Sequence, residues 1–203
     1  MAKKPTRHWG EGEIETPLLT VGVVSDTHIP DRVSAIPDEL LDRLNEMQVD
    51  LILHAGDISV PAVIEELGQI APVTAVRGNR DFFFDHKMDR DVTLDLTGIS
   101  VVLTHGHGGW VNYLADKLKH IFYGYSFERY RSWLSHQYPH ARVIVFGHTH
   151  FAENRWVDGK LFFNPGSCTM AFRNQKPSFG MLRFYERGRI TGEIHRLQKG
   201  VEG

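Results

Sequence analysis

Five short polar clusters in the sequence carry groups that could bind a cation or move a proton. They are Asp26-Thr27-His28, Gly56-Asp57, Gly78-Asn79-Arg80-Asp81, His105-Gly106-His107 and Gly147-His148-Thr149-His150. Between them they offer carboxylates from Asp26 and Asp57, an amide oxygen from Asn79, and imidazoles from His28, His105, His148 and His150, with no thiolate. Such a hard-to-borderline nitrogen and oxygen set suits Mn, Fe, Co, Ni or Zn. It differs from the oxygen cages that hold Ca and from Cys-rich structural zinc sites. These seven groups exceed what one cation needs. They suit two divalent cations sharing a carboxylate at about 3.5–4 Å. Singly the clusters say little, because a Gly-Asp at a strand end is ordinarily a turn in which Asp accepts backbone hydrogen bonds. Only in conjunction do they point to one site.

For the clusters to meet, the chain must bring distant segments together, and its apolar pattern does so. Short runs rich in β-branched residues each stop at one of the clusters: Leu18 to Val24, Asp50 to His54, Val73 to Arg77, Ser100 to Thr104 and Arg142 to Phe146. These read as buried strands. Helical patterns over Pro37 to Gln48 and Pro61 to Ile70 separate the first three, which implies parallel neighbours with right-handed crossovers. Beyond His150 the pattern changes to hairpins, Asn154 to Val157 with Lys160 to Phe163 around Asp158-Gly159, and Phe179 to Tyr185 with Arg189 to Leu197 around Arg187-Gly188. The elements add up to an α/β domain with enough strands for two stacked sheets and helices over their outer faces. Loops at the carboxyl ends of parallel strands converge on one crevice, so the five clusters are expected there.

Residues 1–17, polar and broken by Pro5, Gly10, Gly12 and Pro17, read as a flexible leader, and 18–203 as one domain. Residues 110–138 read as a helical elaboration with an aromatic face, in which Trp110, Tyr113, Phe122, Tyr123, Tyr125, Phe127, Tyr130, Trp133 and Tyr138 pack on the core or form a substrate lid or subunit contact. The net charge of −2 supplies no global basic field of the kind that non-specific nucleic-acid binding needs. Lone Cys168 excludes a disulfide framework, and no segment is long enough to span a bilayer, so a cytoplasmic protein is expected. His54, ending an apolar strand, reads as a packed or supporting histidine. Asp81 reads as a carboxylate that orients a ligand imidazole, and Asn164-Pro165-Gly166-Ser167 as a tight turn buttressing the ligand loops.

The five clusters, in this order, resemble the motif set of the calcineurin-like metallophosphoesterases, and the short length with Asn164 to Ser167 resembles their small prokaryotic phosphodiesterase branch. The resemblance runs from about Leu18 to Leu197. It implies a four-layer αββα sandwich of two mixed sheets. It implies one metal ion on Asp26, His28 and His150, a second on Asn79, His105 and His148, and Asp57 bridging them. It further implies hydrolysis of a small or nucleotide-like phosphodiester by a hydroxide bridging the two metals. Many members have His after the motif Asn, where this sequence has Arg80. A guanidinium can hydrogen-bond two phosphoryl oxygens but is no practical general acid, so either His107, the nearest candidate in sequence, protonates the leaving group or the reaction favours esters with good leaving groups.

Three alternatives stay open. A monoester substrate fits the same ligands. A nuclease would need a basic strip beside the metals, for which Arg129, Arg131, Arg142, Arg155, Arg173 and Lys176 are candidates. A metal-binding scaffold with little turnover is the third, since this fold also serves, in a trafficking-coat relative, as a protein-binding platform with a degraded metal site. The aromatic stretch leaves self-association open as well.

Overall fold

Alternation along the buried strands decides how the layers stack. In the computed structural model, which describes residues 15–81, 88–106, 125–170 and 175–198, strands β1 (Leu19–Val24), β2 (Leu51–His54) and β3 (Val73–Ala75) pair in parallel. Helices α1 (Asp38–Glu46) and α2 (Ala62–Leu67) form the crossovers between them. A second sheet is built on β4 (Asp91–Leu96), β5 (Ile99–Thr104), β6 (Val143–Val145), β7 (Glu153–Val157) and β8 (Lys160–Asn164), with helix α3 (Phe127–Gln137) between β5 and β6. Strands β9 (Ser178–Phe184) and β10 (Ile190–Arg196) then return to the first sheet. The strand orders are β10-β9-β1-β2-β3 and β4-β5-β6-β8-β7, both mixed.

Because side chains alternate between faces, each sheet feeds two apolar layers. Val21, Val23 and Leu53 of the first sheet meet Val101, Leu103, Val143, Val145, Leu161 and Phe163 of the second. The opposite faces hold the helices. Leu40, Leu44, Val63 and Leu67 pack on Val24, Ile52, Phe179 and Met181, while Phe127, Tyr130 and Leu134 pack on Val102, Ile144 and Phe162. Three apolar layers between four structural ones make an αββα sandwich, as the sequence implies.

The five cluster-bearing strands all form, with ends shifted by a residue or two, and so do the C-terminal hairpins. At the β7–β8 turn Asp158 and Gly159 both take positive φ (51° and 77°), the conformation a two-residue hairpin turn demands. Strand β8 pairs antiparallel with β7 but parallel with β6, so the C-terminal half is only partly antiparallel. Strand β4 is not anticipated. Its residues alternate between exposed and half-buried at an edge, a weak hydrophobic signal, with Asp91 and Asp95 on the solvent side. Of the leader, residues 1–14 lie outside the described residues, and Glu15 pairs with Arg189. Residues 107–124, most of the aromatic stretch, also lie outside them. Tyr125, Phe127, Tyr130, Trp133 and Tyr138 join the α3 layer as core packing. No described helix is long and apolar enough to cross a membrane.

Candidate metal centre

Strands β1, β2 and β3 of one sheet and β5 and β6 of the other end on the same side of the sandwich, and the polar clusters that follow them converge there. Asp26, His28, Asp57 and His105 are buried, and His148 and His150 are partly so. Five of these residues turn out of their strands in the left-handed region, with φ of 54° at Asp26, 52° at His28, 54° at Asp57, 68° at His148 and 59° at His150. Backbone in this region is unfavourable for residues with a Cβ and persists where its surroundings enforce it. Here it turns the side chains toward one point. Gly78 serves the same convergence by lacking a side chain, since a Cβ there would collide with the amide and carboxylate of Asp57.

Two donor sets result. In the first, Nε2 of His28 and Nε2 of His150 are 3.1 Å apart, and Oδ1 of Asp26 lies 3.4 Å from the latter and 3.9 Å from the former. The other Asp26 oxygen accepts from Ser25 Oγ (2.6 Å) and the His148 amide (3.1 Å). Oδ1 is buried, and among the described residues no donor meets it in hydrogen-bonding geometry. An orphaned buried carboxylate oxygen facing two imidazole nitrogens is costly as it stands and fits a cation among them. In the second set, Asn79 Oδ1 lies 3.0 Å from His105 Nε2 and 3.0 Å from His148 Nδ1, with Asp57 Oδ1 3.4 Å from His105 Nε2. Asp57 Oδ2 reaches toward the first set, 3.9 Å from His28 Nε2. Asp57 therefore faces both. Asp26 also groups geometrically with Asp57 and His105, so the two sets share more than one carboxylate.

The electrostatics reflect this crowding. Burial would raise the pKa of Asp26, but His150, His105 and His28 hold it well below the ordinary carboxylate range. Burial pushes Asp57 up to about 6 against the opposing pull of His105. His28 is lowered to about 4 by burial, which Asp26 offsets in part while His150 and Arg80 add to it. His105 is raised, because Asp57 and Asp26 outweigh its own burial. Clustered carboxylates and imidazoles that perturb one another in this way suit divalent cations, whose charge the carboxylates would neutralise.

The fold is that of a recognisable group. A family model described as the calcineurin-like phosphoesterase superfamily domain matches residues 19–187. The chain belongs to this superfamily. It is 34% identical over 178 residues to a probable metallophosphoesterase of Methanothermobacter thermautotrophicus, covering 88% of this chain and 92% of that protein. It is 26% identical over 179 residues to a phosphodiesterase of Methanocaldococcus jannaschii, covering 81% and 92% of the two. Among solved structures, Vps29 of Entamoeba histolytica complexed with Zn²⁺ superposes with a TM-score of 0.65 at 25% identity, covering 88% of this chain and 99% of that one.

Around the donor sets, one supporting residue, Asp81, differs from the sequence reading, and the others match it. Among the described residues the hydrogen bonds of Asp81 run to backbone amides rather than to a ligand imidazole. Its two oxygens accept the backbone amides of Asp57 (3.0 Å), Ile58 (2.7 Å), Ser59 (2.7 Å) and Gly78 (2.6 Å), tying the β2 and β3 loops together. His54 is a supporting residue, as expected. Its Nδ1 accepts from the Gly56 amide, so its proton sits on Nε2, 3.3 Å from Thr27 Oγ1. Asn164 and Ser167 buttress the loops, Asn164 Nδ2 donating to Gly147 O (3.0 Å) and Ser167 Oγ to Asp26 O (2.8 Å). Ser25 and Thr169, which donates to Thr27 O at 2.9 Å, were not singled out from sequence. A lone hydroxyl carries no signal until its acceptor is known.

Arg80 donates its backbone N–H to Asp57 Oδ1 at 2.8 Å, and its partly exposed guanidinium is near enough to His28 to depress that residue's pKa. His107 lies outside the described residues. Two of the basic residues considered for a nuclease strip, Arg131 and Arg142, lie away from the donor sets. Arg131 is bound to Glu128 and to Asp158 in the β7–β8 turn, at the end of the sheet opposite the donor sets, and Arg142 precedes β6 at that same end. Arg155 is paired with Glu153, and Arg173 lies outside the described residues.

Proposed function

We propose that the chain is a dinuclear, divalent-cation-dependent phosphodiesterase acting on small or nucleotide-like esters. The observation that carries this reading is the pair of donor sets facing Asp57, with the orphaned Oδ1 of Asp26 among them. Asp26, His28 and His150 would hold one ion, Asn79, His105 and His148 the other, and Asp57 both, with Mn, Ni, Fe, Co or Zn as candidates. Bound there, the cations would supply positive charge to the phosphoryl oxygens and make water nucleophilic at neutral pH.

The chain's own groups do the rest. His105 is kept with its Nδ1 proton on the Ala55 carbonyl, so Nε2 presents a lone pair to the site. Asp57 is steered by the Arg80 amide. The Arg80 side chain is assigned to hydrogen-bonding the non-bridging oxygens as charge builds on them, and His107 to protonating the leaving oxygen. The preference for diesters rests on the relative named a phosphodiesterase in Methanocaldococcus jannaschii and on a structural neighbour described as an archaeal phosphodiesterase.

The test is metal content by mass spectrometry alongside hydrolysis of bis(p-nitrophenyl) phosphate and p-nitrophenyl phosphate with Mn²⁺ or Ni²⁺. Two ions per chain, a faster diester reaction and joint loss of metal and turnover in Asp57→Asn are expected. Two bound ions with neither ester cleaved would replace this reading with the scaffold one.

A further inference from the structure

Beside the donor sets, one pair of opposite charges is left over from the metal-binding scheme. Arg80 is fixed at its backbone, because its own amide binds Asp57 and the next residue, Asp81, accepts four amides of the surrounding loops. Its side chain reaches the rim, where Nη1 lies 3.7 Å from Oδ2 of Asp31, the two side chains being 36% and 42% exposed. Asp31 sits three residues after His28 in a turn closed by the Arg32 amide on the His28 carbonyl (2.9 Å). Both partners thus hang from loops that carry proposed metal ligands, and among the described residues the ion pair of each is with the other.

An exposed ion pair at this distance is weak, so a phosphoryl oxygen can displace the carboxylate from Arg80. What does not leave is the negative charge, which stays at the rim on a short side chain carried by that turn. A substrate phosphoryl group meeting Arg80 therefore also meets Asp31. The repulsion is felt twice over by a monoester dianion compared with a diester monoanion.

We propose that Asp31 is a positioning and selectivity residue that holds Arg80 over the site and biases it toward singly charged phosphodiesters against doubly charged monoesters. This rests on the phosphodiesterase reading and names the charge state of its substrate.

The experiment compares full-length wild type, Asp31→Asn, Asp31→Glu, Arg80→Ala and the Asp31→Asn/Arg80→Ala double variant, all Mn²⁺-loaded at pH 8. One arm measures kcat and KM for the two nitrophenyl esters. A second, independent of turnover, measures calorimetric affinity for inorganic phosphate and for dimethyl phosphate. Asp31→Asn is expected to lower the diester-to-monoester ratio of kcat/KM about three- to tenfold, mainly through the monoester KM, and to tighten phosphate over dimethyl phosphate by a similar factor. Asp31→Glu keeps the wild-type ratios, and on the Arg80→Ala background Asp31→Asn has a smaller effect. Equal changes for both charge states, or an undiminished effect without Arg80, overturn the proposal. If no ester is cleaved but the binding arm shifts as stated, the role of Asp31 stands and the hydrolytic reading falls.

Discussion

His105 and Ala55 follow strands of different sheets, yet the Nδ1 proton of His105 lies on the Ala55 carbonyl at 2.7 Å. This one bond selects the tautomer that turns Nε2 toward Asn79 and Asp57, and it joins the two halves of the sandwich at the point where cations would sit. His105→Ala should reduce Mn²⁺ content from two ions to about one and lower diester turnover at least about a hundredfold. Outer partners of metal ligands already account for losses of ten- to a hundredfold. Metal analysis and steady-state hydrolysis check both numbers, and full retention of both ions would remove His105 from the second donor set.

Asp81 is expected to matter more for stability than for chemistry. Its carboxylate takes four backbone amides, so Asp81→Ala strands several buried donors at once. A loss of at least about 3 kcal/mol follows from the cost of unmade buried hydrogen bonds. Urea unfolding with EDTA present should show it, with Asp81→Asn less damaged because one oxygen remains. A loss under 1 kcal/mol would mean that water replaces the carboxylate.

How far the sequence is legible varies with the kind of signal. The αββα layering and the five loops can be read because each buried strand is a short β-branched run that stops at small or polar residues, as at Val24-Ser25-Asp26 and Phe146-Gly147-His148. Strand β4 cannot, since an edge strand with Asp91, Thr93 and Asp95 facing outward carries little apolar periodicity. The work of Asp81 is hidden for another reason. Its partners are backbone amides from two loops, and backbone groups leave no mark on residue type. Asp31 with Arg80 is likewise invisible, being a contact across 49 positions that only the convergence of the β1 and β3 loops creates.

Lys160 offers a control far from the site. Its ammonium donates to the carbonyls of Tyr138 (3.2 Å), Pro139 (2.5 Å) and Ala141 (2.7 Å), gathering the acceptors left where α3 ends. Lys160→Met should cost about 1–3 kcal/mol in unfolding free energy. Lys160 begins β8 at the end of the sheet opposite the donor sets, so kcat/KM should be unchanged. A fall in turnover at constant metal content would show that α3 communicates with the site.

His54 makes a prediction about pH. It is fully buried, and desolvation lowers its pKa to about 4 although Asp81 and Asp26 pull the other way. In the unfolded chain it would titrate near the ordinary value of about 6.5. Between these values the unfolded state binds the extra proton, so this group costs stability as pH falls from about 6.5 to about 4 and adds no further loss below. The total is roughly 3 kcal/mol. His54→Gln can still accept from the Gly56 amide and donate to Thr27, but it cannot titrate. With metal removed by EDTA in both proteins, the variant should be less stable at pH 7 by about 1–2 kcal/mol and should lose less on going to pH 4.5. Because the carboxylates and imidazoles of the donor sets titrate in both, the difference between the two curves isolates His54. Parallel curves from pH 7 to pH 4.5 would mean that the imidazole is protonated in the folded state, with its Nδ1 no longer accepting from Gly56.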